Sequence, residues 1–241
     1  MPNPKHSSDS SQDSGSTGQF IDWLTNDWLV NLNQDLKHHM RPSFQPARLD
    51  RESLLKKREK EFALGRVCAE SQLLLLGENG SVGVNDDRSP SWPNGFTGSI
   101  THSQNWTWAT VASTDTTRSI GIDTEKIVDA KVRREVQNQI VNPAEWDQIL
   151  KNDADPDALF SAVFSAKESI YKCCFPIVRQ YFGFQCAVVE SMGAEYVDFR
   201  LTEQTPHLEK LGSDWIRVFY QISDADVFTI TWLSQVSQDV S

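Results

Sequence analysis

Two segments in the middle of the chain constrain the fold most, a short run with the periodicity of a strand and a longer run with that of a helix. In the first, residues 119–125, Ile120 and Ile122 alternate with Asp123 and Glu125. This period of two is typical of a β-strand with one apolar and one acidic face. The two carboxylates then point the same way, roughly 7 Å apart along the strand. At that distance they can converge on one hard cation such as Mg²⁺.

The second segment predicts a helix that ends at Pro176. Its apolar residues recur at three- and four-residue steps, as on one face of a helix; they are Phe160, Val163, Phe164, Tyr171 and Phe175. Glu168 falls on this stripe, where a carboxylate needs a partner or a metal. Lys172 follows one turn later on the same face and can reach the same site.

Each pattern also has an ordinary explanation. An Asp-x-Glu pair at a strand end is usually a solvated edge. Glu and Lys four residues apart on a helix usually form a surface salt bridge, contributing about 0.3–0.5 kcal/mol. Taken separately, the two patterns leave both explanations open, and a third motif shifts the balance toward a functional site.

The third motif, at residues 92–103, reads Trp-Pro-Asn-Gly-Phe-Thr-Gly-Ser-Ile-Thr-His-Ser. It is followed by Gly-Ile-Asp-Thr-Glu at 121–125 and by Phe-Ser-Ala-Lys-Glu-Ser-Ile-Tyr-Lys at 164–172. This ordered set resembles the 4′-phosphopantetheinyl transferases, and within that family the enterobactin-synthase type. The resemblance runs from about Arg51 to Cys174, about half of the chain.

The resemblance implies an α+β fold of two similar halves related by a pseudo-twofold axis, with the active site between them. We therefore expect an N-terminal half at 19–118 that binds coenzyme A and a C-terminal half at 119–241 that carries the magnesium and catalytic residues. Residues 1–18 are rich in Ser, Asp and Gly and contain no apolar run, which predicts a disordered tail.

The reaction implied by the resemblance is transfer of the 4′-phosphopantetheine arm of coenzyme A to a serine of an apo acyl, peptidyl or aryl carrier protein. Adenosine 3′,5′-bisphosphate is released, and the implied setting is siderophore or other secondary-metabolite biosynthesis. Asp123, Glu125 and Glu168 would hold Mg²⁺ against the pyrophosphate. Glu168 or a bound water would be the general base, and Lys172 would neutralise phosphate charge or assist the leaving group.

A basic helix and the histidine motif are expected to hold the coenzyme phosphates. The helix is predicted from about Asp50, as N-cap, to about Leu76, with Gly77 as its stop. In a chain of net charge −10, its cations favour a small polyanion over nucleic acid, because the overall field repels a long phosphate backbone. A solvated face balanced by glutamates is the alternative. By resemblance the coenzyme-binding residues are Arg58, Arg66, Arg88, Thr101, His102, Asp123 and Lys172.

The region 128–142 meets the carrier protein in the family that this chain resembles. It contains three cations close together: Lys131, Arg133 and Arg134. A basic patch would orient docking of an acidic carrier. An exposed helix face without a partner is the alternative.

The remaining patterns concern strands, location and rival functions. Strands are expected at 106–112, 181–190, 196–202, 215–223 and 227–232, and an amphipathic segment at 20–32 is expected to dock on the core. No apolar stretch reaches the roughly 18–20 residues of a membrane span, and the start lacks a signal-peptide core, so a cytoplasmic protein is expected. The rivals are a module that binds coenzyme A or a nucleotide without transfer, and a magnesium-dependent phosphohydrolase.

Overall fold

The computed structural model of the chain describes residues 54–103, 106–223 and 225–235, with side chains from residue 58 onward. The expected tail, the amphipathic segment at 20–32 and the N-cap Asp50 lie outside these ranges. Within them, no helix is long and apolar enough to cross a lipid bilayer.

Helices and antiparallel strands make up the described residues, which confirms the α+β class. The helices are α1 (Leu54–Leu75), α2 (Ala130–Ile140), α3 (Pro143–Leu150) and α4 (Pro156–Val178). The strands are β1 (Gly83–Val84), β2 (Pro90–Ser91), β3 (Phe96–His102), β4 (Thr107–Ser113), β5 (Thr117–Lys126), β6 (Ala187–Met192), β7 (Tyr196–Leu201), β8 (Trp215–Ile222) and β9 (Asp226–Ser234).

Helix α1 ends at the predicted glycine. Gly77 has a φ of 84°, in the left-handed region that glycine adopts without steric cost. Its N–H bonds to the carbonyl of Leu74, and the N–H of Glu78 bonds to that of Leu73. These two bonds form a Schellman motif, which satisfies the last carbonyls of the helix.

The N-terminal part of the described chain, which contains α1 and β1 to β4, is built around a helix packed on a hairpin. Strands β3 and β4 pair from Phe96↔Ser113 to His102↔Thr107, and α1 covers them with an apolar core that includes Leu73. Strand β4 was predicted from alternation, but residues 107–112 are all buried. The second face is covered by the C-terminal part, where Trp108 packs against Phe228 with ring centroids 5.6 Å apart.

The C-terminal part, which contains β5 to β9 and α2 to α4, is built on a five-stranded antiparallel sheet in the order β5-β9-β8-β7-β6. Helix α4 packs across this sheet. The helix approaches β5 closely at Gly121. A Cβ atom at this position would lie 2.0 Å from the carbonyl oxygen of Ser169 and 2.7 Å from the backbone nitrogen of Cys173. Only glycine permits this contact, and it brings the polar face of α4 directly over the acidic residues of β5.

Side-chain hydroxyls join the two parts where β3 lies beside β5. The Ser99 hydroxyl accepts a hydrogen bond from the backbone N–H of Ile122 at 3.1 Å. The Thr101 hydroxyl accepts one from the N–H of Thr124 at 3.3 Å. The outer edge of β5 is therefore bonded by the serine and threonine of the histidine motif, which places that motif next to Asp123.

One predicted helix end is wrong. Helix α4 continues past Pro176 to Val178. The φ of proline fits a helix, and proline here removes only one N–H donor close to the end of the helix. The helix ends where Arg179 becomes left-handed, with a φ of 53° and its N–H bonded to the carbonyl of Phe175.

The strand predicted at 181–190 is wrong in its first half, since β6 begins only at Ala187. The preceding aromatic residues anchor a loop instead. Phe182 is buried in the core, and Phe184 packs edge-on against Phe164 at 5.6 Å. Phe182 and Phe184 therefore keep a two-residue spacing without forming a strand, and Phe184–Cys186 is a short 3₁₀ helix.

Candidate active site

Asp123 lies at the centre of the predicted site, on β5 beneath α4, and is only 4% exposed. Its Oδ1 accepts hydrogen bonds from the Lys172 ammonium at 2.7 Å and from the Thr101 hydroxyl at 3.0 Å. Its Oδ2 accepts one from the Ser165 hydroxyl at 2.8 Å. Three donors on two elements, Thr101 on β3 and Ser165 and Lys172 on α4, fix this carboxylate, so the solvated-edge explanation does not apply to Asp123.

Glu125 and Glu168 are the other two carboxylates of the cluster, on β5 and α4. Burial, aided by the charges of Asp123 and Glu168 and opposed by Lys172, raises the pKa of Glu125 to about 7. Burial, followed by the charge of Asp123, also raises the pKa of Glu168. The cluster thus sets three carboxylates against one ammonium, an excess of negative charge that a divalent cation would offset.

The donor set fits Mg²⁺ better than a metal that needs a complete protein cage. Among the described residues, no three His, Cys, Asp or Glu side chains form a ready-made metal site. Mg²⁺, however, is usually bound by one or two carboxylates and completes its octahedron with water and substrate phosphates. Asp123, Glu125 and Glu168 supply hard oxygen donors, the ligand type that Mg²⁺ takes.

Thr101 belongs to the carboxylate cluster through its hydroxyl. It donates its one proton to Asp123 and accepts from Lys172 at 3.1 Å and from the N–H of Thr124. A hydroxyl has one donor and two acceptor positions, so all are used. The contact predicted between Thr101 and a coenzyme phosphate stays a prediction, and these bonds favour a role in orienting Asp123.

The expected phosphate contacts on the N-terminal side lie in different surroundings. The half-exposed His102 has Nδ1 3.8 Å from Oε2 of Glu61 on α1. Arg66 lies over the ring of Phe62, 4.5 Å from its centroid, and burial lowers the pKa of its guanidinium. Arg58 is exposed near the start of α1.

A cavity of about 460 Å³ opens beside Lys172 and is lined by both parts of the chain. Arg88, with a φ of 70°, and Trp92 line it from the N-terminal side, and Phe175 lines it from α4. It thus combines cationic groups with aromatic ones, the mixture of apolar wall and few charged groups that is typical of ligand sites. Of the predicted coenzyme residues, the cavity brings together Arg88 and Lys172, while Arg58, Arg66 and His102 are not among its lining residues.

Sequence reasoning missed Arg179, which also lines this cavity. Its Nη1 donates to Oδ2 of Asp87 at 2.9 Å, an ion pair across the two parts of the chain. Arg179 lies just beyond Val178, the last residue of α4, and has a left-handed backbone. Because it is outside the helix, helical spacing from Lys172 does not identify it.

A second cavity, of about 140 Å³, is lined by Glu168. Aromatic side chains dominate its wall: Tyr171, Tyr181, Phe182 and Phe184. Tyr171 lines both cavities, so they lie next to each other along α4.

The basic patch of α2 is smaller than its sequence suggests. Arg133 forms an ion pair with Asp157 and stacks on Trp146, 4.5 Å from the ring centroid. Lys131 and Arg134 are exposed. Two of the three predicted cations thus face solvent.

Two family models match the chain in tandem, the 4′-phosphopantetheinyl transferase N-terminal domain at residues 47–112 and the 4′-phosphopantetheinyl transferase superfamily at 119–218. The chain is 33% identical over 147 residues to enterobactin synthase component D of Salmonella typhi, covering 61% of this chain and 60% of that protein. It is 32% identical over 158 residues to 4′-phosphopantetheinyl transferase Npt of Nocardia iowensis, covering 65% and 68%. A third relative, 4′-phosphopantetheinyl transferase PptT of Mycobacterium tuberculosis, is 32% identical over 143 residues, covering 54% and 57%.

The match thus spans about three fifths of the enterobactin synthase relative. The second family model covers the whole carboxylate cluster, since Asp123, Glu125, Glu168 and Lys172 fall within residues 119–218. The chain belongs to the 4′-phosphopantetheinyl transferase superfamily.

Proposed function

We propose that this protein transfers the 4′-phosphopantetheine arm of coenzyme A to a serine hydroxyl of an apo carrier protein and releases adenosine 3′,5′-bisphosphate. The observation that carries the proposal is the cluster of Asp123, Glu125, Glu168 and Lys172 beside a cationic cavity in a chain of this family. The enterobactin synthase relatives support siderophore or other secondary-metabolite biosynthesis as its setting.

Asp123, Glu125 and Glu168 would hold Mg²⁺, which when bound shields the pyrophosphate and the charge that develops on the leaving phosphate. The raised pKa values of Glu125 and Glu168 support this role, because burial, aided by the charge of Asp123, disfavours their ionised forms and a bound cation would offset that cost. Lys172, already directed at the cluster, would neutralise phosphate charge and assist the leaving group.

Glu168 is the proposed acceptor of the proton from the carrier serine, directly or through a water. It is half-buried and borders the aromatic cavity, and a bound cation would favour its ionised form, which is the form that accepts a proton. The nucleophile comes from the carrier, so the mechanism requires no catalytic serine in this chain.

Coenzyme A is proposed to bind with its phosphates in the cavity beside Lys172. Arg88, which lines it, is the best supported of the predicted phosphate contacts. The other predicted contacts are kept as proposals, and each requires the ligand to extend beyond the cavity; they are Arg58, Arg66, Thr101 and His102.

The carrier protein is proposed to dock on the region that follows β5, where Lys131 and Arg134 are exposed and complement an acidic surface. We keep the boundary between the halves near Arg118, which the interval between the two family models supports. A cytoplasmic location is also proposed, consistent with four free, buried cysteines.

The test is intact-protein mass spectrometry of apo acyl, peptidyl and aryl carrier domains incubated with the protein, coenzyme A and Mg²⁺. We expect one phosphopantetheine to be added, and the addition to be lost with chelator and with Glu168→Gln. Release of free phosphopantetheine with an unmodified carrier would instead establish a hydrolase. Coenzyme A binding in a thermal-shift assay, with neither product, would establish a binding module.

A further inference from the structure

Three hydroxyl groups form a buried chain behind Asp123. The Ser165 hydroxyl donates to Asp123 Oδ2 at 2.8 Å and lies 2.9 Å from the Thr229 hydroxyl. The Thr229 hydroxyl lies 2.7 Å from that of Ser169. All three residues have no exposed surface. Ser165 and Ser169 are one turn apart on α4, and Thr229 lies opposite them on β9.

The direction of these hydrogen bonds follows from counting protons. An ionised carboxylate only accepts, and each hydroxyl has a single proton to donate. Ser165 gives its proton to Asp123, so Thr229 must donate to Ser165. Ser169, whose hydroxyl also reaches the Thr229 carbonyl at 3.3 Å, must then donate to the Thr229 hydroxyl at 2.7 Å. The chain thus runs in one direction and ends on Asp123, and each bond polarises the next.

The chain and Thr101 hold opposite sides of the same carboxylate. Oδ2 is held from inside by Ser165, whereas Oδ1 accepts from Thr101 and from Lys172 at the edge of the cavity. The carboxylate cannot rotate without breaking a bond in a buried place, where an unsatisfied polar group is costly. Oδ1 is therefore kept toward Lys172 and the cavity.

We propose that Ser165, supported by Thr229 and Ser169, is a positioning residue that orients Asp123 for the metal and phosphate chemistry of the site; this inference rests on the proposed function. Ser165 touches neither substrate nor metal in this role. It acts through Asp123, as the hydrogen-bond partners of metal-binding side chains do in other proteins.

The test measures metal affinity without turnover. Mn²⁺, as a probe for Mg²⁺, is titrated by calorimetry into the full chain at saturating coenzyme A with no carrier present. Ser165→Ala should weaken Mn²⁺ binding about tenfold, the lower end of the loss typical when a partner of a metal ligand is removed. Thr229→Val should weaken Mn²⁺ binding less, because the Ser165 hydroxyl still donates to Asp123.

Ser161→Ala is the matched control. Ser161 lies on the same helix one turn earlier and is equally buried, but its hydroxyl donates to the carbonyl of Asp157 at 2.7 Å and accepts from the N–H of Val128 at 3.0 Å. A general loss of packing would affect both variants. Only Ser165→Ala should change Mn²⁺ affinity.

A double-mutant cycle in unfolding, with Asp123→Ala as the second change, tests the contact without any metal. Ser165→Ala should lower the unfolding midpoint less in the Asp123→Ala background than in the wild type, since the bond it removes is already absent. Equal shifts in both backgrounds would overturn the proposal, as would a folded Ser165→Ala protein with wild-type Mn²⁺ affinity. A wild-type protein that binds coenzyme A but no Mn²⁺ would refute the metal part of the proposed function. Unequal shifts in the double-mutant cycle would still establish the contact between Ser165 and Asp123.

Discussion

Lys167 and Lys172 lie five residues apart on the same helix, and each ammonium stands 2.7 Å from a carboxylate, but the two pairs differ in what surrounds them. The side chains of Lys167 and Glu145 are 1% and 0% exposed. Those of Lys172 and Asp123 are 27% and 5% exposed. The first pair is enclosed and balanced in charge. The second opens on a cavity through Lys172 and has two further carboxylates beside it, Glu125 and Glu168.

The closed pair serves the fold. Glu145 accepts from Lys167, from the N–H of Val189 and from that of Asn142, and Lys167 also donates to the carbonyl of Ile140. One buried ion pair thus ties the end of α2, the start of α3 and strand β6 to α4. Adjacent residues of one motif, Lys167 and Glu168, thus have different duties in our proposal: the first fixes the helix, and the second takes part in the transfer.

Glu168→Gln should separate those duties most sharply. Transfer to the carrier should fall by at least about 100-fold, the range for loss of a general base. The unfolding midpoint should stay equal or rise, because burial and Asp123 raise the pKa of Glu168, which means that its ionised form is destabilising in the folded state. Mass-spectrometric rates and denaturant unfolding measure the two quantities. A folded Glu168→Gln protein with near-normal transfer would refute the role of Glu168.

Lys167→Met should do the reverse. It leaves Glu145 buried without its cation, which typically costs about 3–5 kcal/mol, measured as the free energy of unfolding in urea. Lys172→Met is the matched control, because Asp123 retains two hydroxyl donors and stands nearer to solvent, so a clearly smaller loss is expected. Similar losses for the two variants would show that the closed and open pairs do not differ in their contribution to the fold.

The sequence was sufficient for what depends on local pattern. Period two placed Asp123 and Glu125 on one strand face, and Gly77 marked the end of a helix. It could not show what depends on packing between distant segments, such as the pairing of Lys167 with Glu145 or the donation from Thr101 to Asp123. Those contacts follow from how α4 and β3 meet β5, which no local period encodes.

Gly121→Ala should move the helix that carries both lysine pairs. The new Cβ would meet backbone atoms of Ser169 and Cys173, which cannot rotate away, so α4 must shift at a cost of about 1–3 kcal/mol. The shift should also reduce transfer, because Glu168 moves relative to Asp123. Gly183→Ala is the control, since nothing lies within 4 Å of a Cβ there. Equal behaviour of the two variants would show that close approach of α4 to β5 is not required.

Replacement of Asp198 should have the smallest effect on stability and activity. It tests whether a well-formed ion pair matters to function even when it lies far from the carboxylate cluster. Arg217 donates to both carboxylate oxygens of Asp198, at 2.7 and 2.9 Å, on the exposed face of the neighbouring strands β7 and β8. The hydrogen bonds from Arg217, then that from Ser191, lower the pKa of Asp198 below its usual 3.8. The folded state therefore binds a proton later than the unfolded state as the pH falls, so this stabilisation is complete above 3.8 and is lost as the pH drops through the folded pKa.

Asp198→Asn should accordingly reduce stability at neutral pH by less than about 1 kcal/mol, as is usual for a pair with an exposed partner. The deficit should shrink in acid, where the wild type loses the same interaction, and transfer should be unchanged. Urea unfolding at neutral pH and near pH 3 measures the first two expectations. A deficit independent of pH would assign the effect to packing instead of charge. A loss of transfer would mean that the outer sheet is coupled to the cluster around Asp123, and that the division between structural and chemical ion pairs does not hold across this molecule.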